Sequence, residues 1–156
     1  MREGWTYKKL NEVCDKGSST IVIKKLEDIA YVPDTSRRGD KVSLGLNETN
    51  QSFLVSSIFC VFRSIDKERL LPDYLYLWSC RLEFDRYARF NSWGSAREAF
   101  SFEDMKRVRV PIPPLEVQRA IVNIYKCANE AKQIAVEADR LTREVCPALL
   151  QHIIHS

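Results

Sequence analysis

Glycine and histidine are scarce in this chain, and their scarcity argues against several kinds of active site. The five glycines are widely scattered: Gly4, Gly17, Gly39, Gly45 and Gly94. Phosphate-cradling and dinucleotide-binding loops need clustered glycines, so neither pattern is present. A catalytic triad needs a histidine beside its nucleophile, but the only two, His152 and His155, stand near the end of the sequence. Nucleophilic catalysis is therefore not indicated.

Patterns that bind metal are also missing. The two histidines are separated by only two residues, which is short for a structural zinc pair, and no pair of cysteines supports them. We therefore expect neither a metal nor another cofactor. The cysteines are odd in number and never closely spaced: Cys14, Cys60, Cys80, Cys127 and Cys146. Because isolated cysteines are typical of reduced thiols, we expect a cytoplasmic protein.

Targeting and membrane segments are not indicated either. The residues that follow Met1 are mostly polar, so we expect no signal peptide. Charged residues interrupt the apolar residues of the C-terminal part every few positions, so we expect no transmembrane span.

The charge of the chain is mildly basic and unevenly distributed. The net charge of +3 arises in residues 1–113, where 19 Lys and Arg stand against 16 Asp and Glu, while residues 114–156 are balanced at five against five. This balance permits contact with nucleic acid without requiring it. Of the sixteen aromatic residues, only Tyr125 follows Pro114. We therefore predict one domain with its own core over residues 1–113 and a different kind of structure over residues 114–156.

Residues 1–113 predict a mixed α+β domain. Short β-branched or apolar runs predict strands at 20–23, 29–32, 41–46, 53–63 and 108–112, with 53–63 deeply buried. A helix is predicted to begin at Pro72 or Asp73, with an apolar inner face that carries Leu75, Trp78 and Leu82 and continues through Phe84, Tyr87 and Phe90. Ser101 is expected to cap a short helix, because Asp104 stands three residues later in the position of a capping box.

Three prolines, Pro111, Pro113 and Pro114, mark the end of this domain. Proline cannot donate to a sheet ladder, so we expect the last strand to stop at these residues. Pro114 suits the first position of a helix. No glycine or proline follows until Pro147, which we expect to kink or end that helix, leaving 148–154 as a short apolar terminus.

Apolar and small residues recur along the predicted helix at alternating steps of four and three, which is a heptad pattern. The seam consists of Ile124, Ala128, Ala131, Ala135, Ala138, Thr142, Val145 and Leu149, and it is widened by Cys127, Ile134, Leu141 and Ala148. A helix of roughly 50 Å, at about 1.5 Å per residue, needs a partner because isolated helices are marginally stable. We predict that this seam mediates dimerisation. The alternative is that the helix folds back on its own domain.

Three polar loops carry residues that suit contact with double-stranded DNA. The first contains Lys16, Ser18 and Ser19, the second Arg37, Arg38 and Lys41, and the third Asn91, Ser92, Gly94, Ser95 and Arg97. Arginine suits guanine edges and phosphate, asparagine and serine suit adenine edges or backbone oxygens, and glycine lets a backbone approach closely. Surface loops are normally polar, so solvated loops without a ligand are the alternative.

The order of several motifs resembles the specificity subunits of type I restriction-modification systems. The motifs are Leu71-Pro-Asp-Tyr-Leu-Tyr-Leu-Trp78, Glu83-Phe-Asp-Arg-Tyr87, Gly94-Ser-Ala-Arg-Glu98, Phe100-Ser-Phe-Glu-Asp-Met105 and Val110-Pro-Ile-Pro-Pro-Leu-Glu-Val-Gln118. The resemblance implies a target recognition domain over 1–113 and a spacer helix over 114–156. It also implies sequence-specific DNA binding without catalysis, in a complex with methylation and restriction subunits.

A usual specificity subunit has two recognition domains and two spacer helices, and each domain reads one half of a split target. This sequence has one of each, so the resemblance implies a half subunit whose helix pairs antiparallel with another half, giving a homodimer. Gly94, Ser95 and Arg97 match a loop of the family. Arg37 and Arg38 lie in its variable part, where the choice of target resides.

Two other functions stay open at this point. One is a non-catalytic dimerising scaffold without affinity for DNA. The other is a fragment of an adenine DNA methyltransferase. Against the second, Ile112-Pro-Pro-Leu115 lacks the Asn or Asp before the prolines and the aromatic residue after them that such enzymes use to hold a flipped base.

Overall fold

Short strands and short helices alternate along the first part of the chain, and one long helix follows. The computed structural model describes residues 5–16, 22–24, 27–34, 42–94 and 98–154, without the side chains of 15, 16, 22–24, 148–150 and 152. The chain divides into two compact units, Met1–Arg119 and Ala120–Ser156. The predicted α+β class with a long C-terminal helix is confirmed. The predicted domain boundary between residues 113 and 114 stays a prediction.

The described strands are β1 Thr6–Lys9, β2 Cys14–Lys16, β3 Val22–Lys24, β4 Ile29–Tyr31, β5 Leu44–Leu46, β6 Phe53–Val55, β7 Cys60–Ser64 and β8 Arg109–Ile112. The described helices are α1 Leu10–Val13, α2 Pro72–Ser79, α3 Leu82–Phe90, α4 Phe102–Lys106 and α5 Leu115–Ile154. The predicted strands at 29–32 and 41–46 are confirmed in shorter form.

A four-stranded sheet in the order β2-β7-β4-β5 forms the centre of the first unit, and its neighbouring strands all run antiparallel. Tyr31 and Phe62 are fully buried on it, with ring centroids 6.1 Å apart and edge to face. Phe100 lies 6.3 Å from Tyr31 and 6.1 Å from Phe84 of α3. Because such pairs prefer edge-to-face geometry, this aromatic cluster fixes α3 against the sheet.

Two buried carboxylates hold neighbouring segments in place. Asp28 lies just before β4, accepts a hydrogen bond from Nη2 of Arg63 at 3.2 Å and forms an ion pair with Nε of the same side chain at 3.1 Å. Asp85 of α3 accepts a hydrogen bond from the backbone N–H of Val42 at 2.9 Å. A buried charge is tolerated when it is paired or hydrogen-bonded, so both groups serve the fold.

The predicted single strand at 53–63 is wrong. It consists of two strands that belong to different sheets: β6 pairs with β3, whereas β7 pairs with β2 and β4. A turn separates them, in which the N–H of Phe59 donates to the carbonyl of Ser56 at 3.1 Å. Leu54 is 72% exposed, so the first half of the run is not buried. An apolar run does not reveal a turn when its residues are also acceptable in strands.

The predicted continuous helix from Pro72 to Phe90 is also wrong, because it breaks at Cys80 and Arg81. The N–H of Cys80 closes α2 on the carbonyls of Tyr76 and Leu77, and Arg81 has an extended backbone before α3 begins. Leu82, expected on the inner face, is half exposed, and Phe90 is 84% exposed. The break lets the two short helices bury separate residues, chiefly Leu75 in α2 and Phe84 in α3.

Two local predictions near α4 are confirmed. The hydroxyl of Ser101 caps α4 by accepting from the N–H of Asp104 at 3.2 Å, and it donates to the carboxylate of Asp104 at 2.6 Å. The strand predicted at 108–112 is β8, in which Arg109 is exposed while Val110, Pro111 and Ile112 are buried. Both patterns depend only on residues close in sequence, which is why the sequence reveals them.

The prolines at the end of the domain behave differently from the prediction. Pro111 lies inside β8 opposite Tyr7, where we expected the strand to stop. Among the described strands, β8 pairs with β1 alone, and proline is tolerated on such edge strands because an N–H on the unpaired side is not needed for a ladder. Helix α5 begins at Leu115, one residue after the predicted Pro114.

Helix α5 continues through Pro147 to Ile154, so the prediction that this proline could end the helix is wrong. Proline removes one N–H from the helical ladder, and the surrounding turns retain the helical backbone. Ion pairs occur along the exposed surface: Arg140 pairs with Glu137 at 2.6 Å and Glu144 at 2.8 Å, and Arg143 pairs with Asp139 at 3.0 Å. The hydrogen bond from Arg140 lowers the pKa of Glu137 below its usual value.

Candidate nucleic-acid interface

Two of the three predicted DNA-binding loops lie largely outside the described residues. Lys16 is the last residue of β2, where its backbone pairs with Phe62. The other predicted residues of these loops fall outside the described ranges, and so do two residues of the third loop: Ser18, Ser19, Arg37, Arg38, Lys41, Ser95 and Arg97. Their contacts with DNA stay predictions.

The described strands nevertheless determine where these loops leave the sheet. β2 and β4 both pair antiparallel with β7, so they run parallel to each other within the sheet. The loops that follow them, which carry Lys16 to Ser19 and Arg37 to Lys41, therefore leave the sheet at the same end. We call this end of the four-stranded sheet, at Lys16 and Tyr31, the loop end.

The third predicted loop is attached to this same region. The backbones of Trp93 and Ala99 exchange hydrogen bonds of 3.2 and 3.1 Å, which fixes both ends of the loop that holds Gly94. Asp34, which follows β4, forms a bridge with Ala99, and the N–H of Phe100 donates to the carbonyl of Pro33 at 2.8 Å. The structure thus brings together the points from which all three predicted loops depart.

Asn91 and Ser92, predicted to contact DNA, also end helix α3. The side-chain amide of Asn91 donates to the carbonyl of Tyr87 at 2.8 Å. The hydroxyl of Ser92 donates to the carbonyl of Ala88 at 2.7 Å. The bond from Ser92 satisfies a carbonyl near the end of the helix, whereas the carbonyl of Tyr87 also accepts from the backbone N–H of Asn91. Gly94 has φ 144, a value that favours glycine. The side-chain nitrogen of Asn91 is engaged with Tyr87, and its amide oxygen is an acceptor group that suits a base edge.

Exposed apolar side chains near this region were not expected from the sequence. Ile58 and Phe59 directly precede β7, which begins where β4 ends, and Ile58 is 65% exposed. Phe90 and Trp93 flank Asn91 and Ser92, and Trp93 is 72% exposed. The sequence pattern favoured burial of the run 53–63 and of Phe90. Exposure depends on which face the tertiary structure covers, so no local signal could have identified these residues.

The buried phenols of the first unit serve the fold. The hydroxyl of Tyr31 donates to the carbonyl of Phe100 at 3.4 Å, and burial raises its pKa far above the usual value. The hydroxyl of Tyr74 donates to the carbonyl of Pro111 at 3.1 Å, and burial raises its pKa to about 12. Both groups stay protonated near neutral pH and act as hydrogen-bond donors.

The predicted dimerisation residues all lie on helix α5. Every described side chain from 123 to 147 is exposed, including those of Ile124, Leu141 and Val145. The seam alanines are in this group: Ala128, Ala131, Ala135 and Ala138. Leu149 belongs to the helix, but its side chain lies outside the described part. The second unit therefore presents an exposed apolar seam.

The described part of the chain offers neither a metal site nor a membrane-spanning helix. Within the described ranges, no three His, Cys, Asp or Glu side chains are grouped so that they could hold a metal ion. None of the helices in the described part of the chain has both the length and the apolar character needed to cross a membrane.

Comparison with known proteins connects this fold to one family. Residues 46–138 match the family model of the type I restriction modification DNA specificity domain. No curated protein sequence matches the chain significantly.

Solved structures share the fold at low sequence identity. An S subunit of a type I restriction-modification system from M. genitalium matches with a TM-score of 0.63 and 14% identity, over 90% of this chain and 43% of that one. The HsdS subunit from Thermoanaerobacter tengcongensis matches with a TM-score of 0.55 and 15% identity, over 84% and 38% of the two chains.

A third structure, from a study of complex assembly and conformational transition of a type I restriction-modification system, gives a TM-score of 0.60 and 19% identity, over 93% and 42% of the chains. The chain thus spans less than half the length of the proteins that it matches. Since the family model covers more than half of this chain, the protein belongs to the family of type I restriction-modification DNA specificity domains.

Proposed function

We propose that this protein binds double-stranded DNA sequence-specifically, as a non-catalytic specificity half subunit that directs the methylation and restriction subunits of a type I restriction-modification system. The observation that carries the proposal is the common departure point of the three polar loops in a domain of this family. The recognition domain comprises residues 1–113 and the spacer helix residues 114–156.

The side chains of the loop end suit both parts of DNA recognition. Lysine and arginine position a protein on the phosphates, while arginine, asparagine and serine can read base edges in the grooves. The loops supply Arg37 and Arg38 to position the protein on the phosphates, and Asn91 to read base edges. Because the ends of the third loop are fixed by the bonds between Trp93 and Ala99, Gly94 is held in position before DNA binds.

The exposed apolar side chains support the same function. Apolar groups contact the thymine methyl in the major groove, and aromatic or aliphatic side chains can also insert between base steps. Phe90 and Trp93 flank the predicted DNA contacts Asn91 and Ser92. In water, two large exposed aromatic side chains are unfavourable, and burial against DNA would remove that cost.

The helix seam supports dimerisation with a second copy, because the spacing of its residues is the same on both sides of a midpoint between Val136 and Glu137. An antiparallel copy centred there places Ala135 opposite the partner's Ala138 and Ala131 opposite the partner's Thr142. Ala128 then faces the partner's Val145. On one flank Lys132 lies beside the partner's Asp139, so the charges are complementary.

A dimer of this kind has twofold symmetry and carries one recognition domain per copy. The length of the paired helices then sets the spacing between two half targets. Helix α5 has 40 residues and is about 60 Å long at about 1.5 Å per residue. That length exceeds one turn of DNA, about 34 to 36 Å, so the two domains can reach separate major-groove segments.

DNA affinity of the full chain, measured with a matched methylation subunit, tests the proposal. We expect the chain to bind duplex DNA. The logarithm of the binding constant should fall linearly with the logarithm of salt concentration, because phosphate contacts release counterions. Fluorescence anisotropy with labelled duplexes between about 50 and 200 mM salt gives the slope. No binding to any duplex at low salt, with the methylation subunit present, would contradict the proposal.

A pair of double variants distinguishes the effect of phosphate contacts in the second loop from the effect of a lower net charge on DNA binding. Replacing Arg37 and Arg38 by glutamine should make the slope less steep by about one for each phosphate contact that is lost. The matched control replaces Arg140 and Arg143 of helix α5 by glutamine, which removes the same charge. Equal slopes for the two double variants would show that the second loop does not contact phosphate.

A further inference from the structure

A cleft of about 470 Å³ lies in the first unit between α2, α3 and β8. Its size falls in the range of small-molecule sites, which is about 300 to 1,000 Å³. Aromatic and basic side chains line most of it: Trp78, Phe84, Tyr87, Arg81, Arg107 and Arg109. None of these residues was selected from the sequence as a DNA contact, and the proposed function does not use the cleft.

The charge of the cleft favours an anion. Three guanidinium groups face one carboxylate, that of Glu83. In the described ranges neither Arg81 nor Arg109 forms an ion pair: Nε of Arg81 donates to the carbonyl of Trp78 at 2.9 Å, and the guanidinium of Arg109 lies 5.9 Å from the ring centre of Tyr7. Arg107 forms an ion pair with Asp104 at 3.5 Å, so Arg81 and Arg109 are the two arginines of the cleft without a carboxylate partner in these ranges. Guanidinium groups without carboxylate partners are suited to phosphate.

The aromatic side chains favour a flat group beside that anion. The guanidinium of Arg81 lies 4.5 Å from the ring centre of Trp78, and Tyr87 remains partly exposed at 38%. Trp78 is also partly exposed. Because flat rings stack favourably on aromatic side chains, a planar group suits these two residues.

We propose that this cleft binds a nucleotide, with its phosphate held by Arg81, Arg107 and Arg109 and its base against Trp78 and Tyr87. Base stacking on aromatic side chains and phosphate contacts to arginine are common features of nucleotide binding. Two sources offer this chemistry: a nucleotide of bound DNA, and a free nucleotide. The first rests on the proposed function, whereas the second is independent of it.

Calorimetric titration of the full chain with each deoxynucleoside 5′-monophosphate tests the free source. Deoxyadenosine tests the contribution of the nucleoside without phosphate, and inorganic phosphate tests the phosphate without a base. Both should bind more weakly than the monophosphates. The double variant R81Q/R109Q should weaken monophosphate binding about tenfold or more, because charged hydrogen bonds are lost. The control variant R86Q changes an exposed arginine of α3 outside the cleft and should leave the affinity unchanged.

The same variants measured with duplex DNA distinguish the two sources. Loss of DNA affinity in R81Q/R109Q but not in R86Q shows that the cleft takes a nucleotide of DNA. Loss of monophosphate affinity alone shows that it takes a free nucleotide. Unchanged binding of both ligands by a folded R81Q/R109Q overturns the proposal. If the wild type binds no duplex, the proposed function fails. The monophosphate titration then still tests whether the cleft binds a nucleotide.

Discussion

Gln118 is fully buried in the first turn of α5, and its side-chain amide holds three backbone groups of the first unit. Its oxygen accepts from the N–H of Leu71 at 2.9 Å. Its nitrogen donates to the carbonyls of Arg69 and Pro113 at 2.9 and 2.8 Å. The motif that ends in Gln118 therefore fixes the start of the long helix to the loop before α2.

Replacing Gln118 by leucine should destabilise the protein by about 3 kcal/mol, because it leaves a buried N–H and two carbonyls without a partner at nearly constant volume. Chemical denaturation followed by circular dichroism measures this change. The control Arg119→Gln, at an exposed position one residue later, should stay within about 0.5 kcal/mol of the wild type. A Gln118→Leu protein as stable as the control would show that the amide bonds contribute nothing.

Single residues differ in how well the sequence alone indicates their role. Ser101 was predicted as a helix cap because the signal, an acidic residue three positions later, is local. The hydrogen bonds of Gln118 join residues 47 and 49 positions apart, so no sequence pattern contains them. The exposure of Phe90 and Trp93 is likewise a property of the tertiary structure. Of the residues predicted to bind DNA, the structure describes only a few, and their roles remain predictions.

At the scale of elements, two predictions are wrong because the apolar pattern continues across a point where one strand or helix ends and the next begins. The run 53–63 is apolar on both sides of a turn, and the helical pattern of 72–90 continues across Cys80 and Arg81. In both places packing of the two halves against different partners decides the break. The long helix was predicted well because its heptad pattern extends over many turns. Pro147 lies inside it because one missing hydrogen bond does not outweigh the neighbouring turns.

The dimerisation seam makes a prediction at this same scale. Ala135→Glu places a charge at the centre of the proposed pairing surface, where it must be desolvated, so we expect the dimer to dissociate to monomers. Multi-angle light scattering gives the mass. The adjacent variant Val136→Glu is the control, because this residue is 62% exposed and faces away from the seam. Should Ala135→Glu keep the wild-type mass, the seam does not pair as proposed.

At the scale of the whole molecule, we propose that a recognition domain is combined with a pairing helix. Membership of the specificity-domain family and the shared fold agree with this combination. Composition alone could not have led to it, since a net charge of +3 is compatible with many functions. The order of the motifs is the informative signal in the sequence, and two of them mark boundaries in the structure: Leu71–Trp78 precedes and begins α2, and Val110–Gln118 joins the end of β8 to the start of α5. The identity of the target bases depends on loop geometry and DNA shape as well as side chains.

We propose that two copies of this chain read the two halves of one split DNA target and direct its methylation. The decisive experiment is methylome sequencing of cells that carry the matched methylation subunit, with and without the gene for this chain. We expect methylation only with the gene, at a bipartite motif whose halves are inverted repeats, as twofold symmetry requires. Identical methylation patterns in the two strains would contradict DNA recognition, and two unrelated half sites would contradict pairing with a second copy.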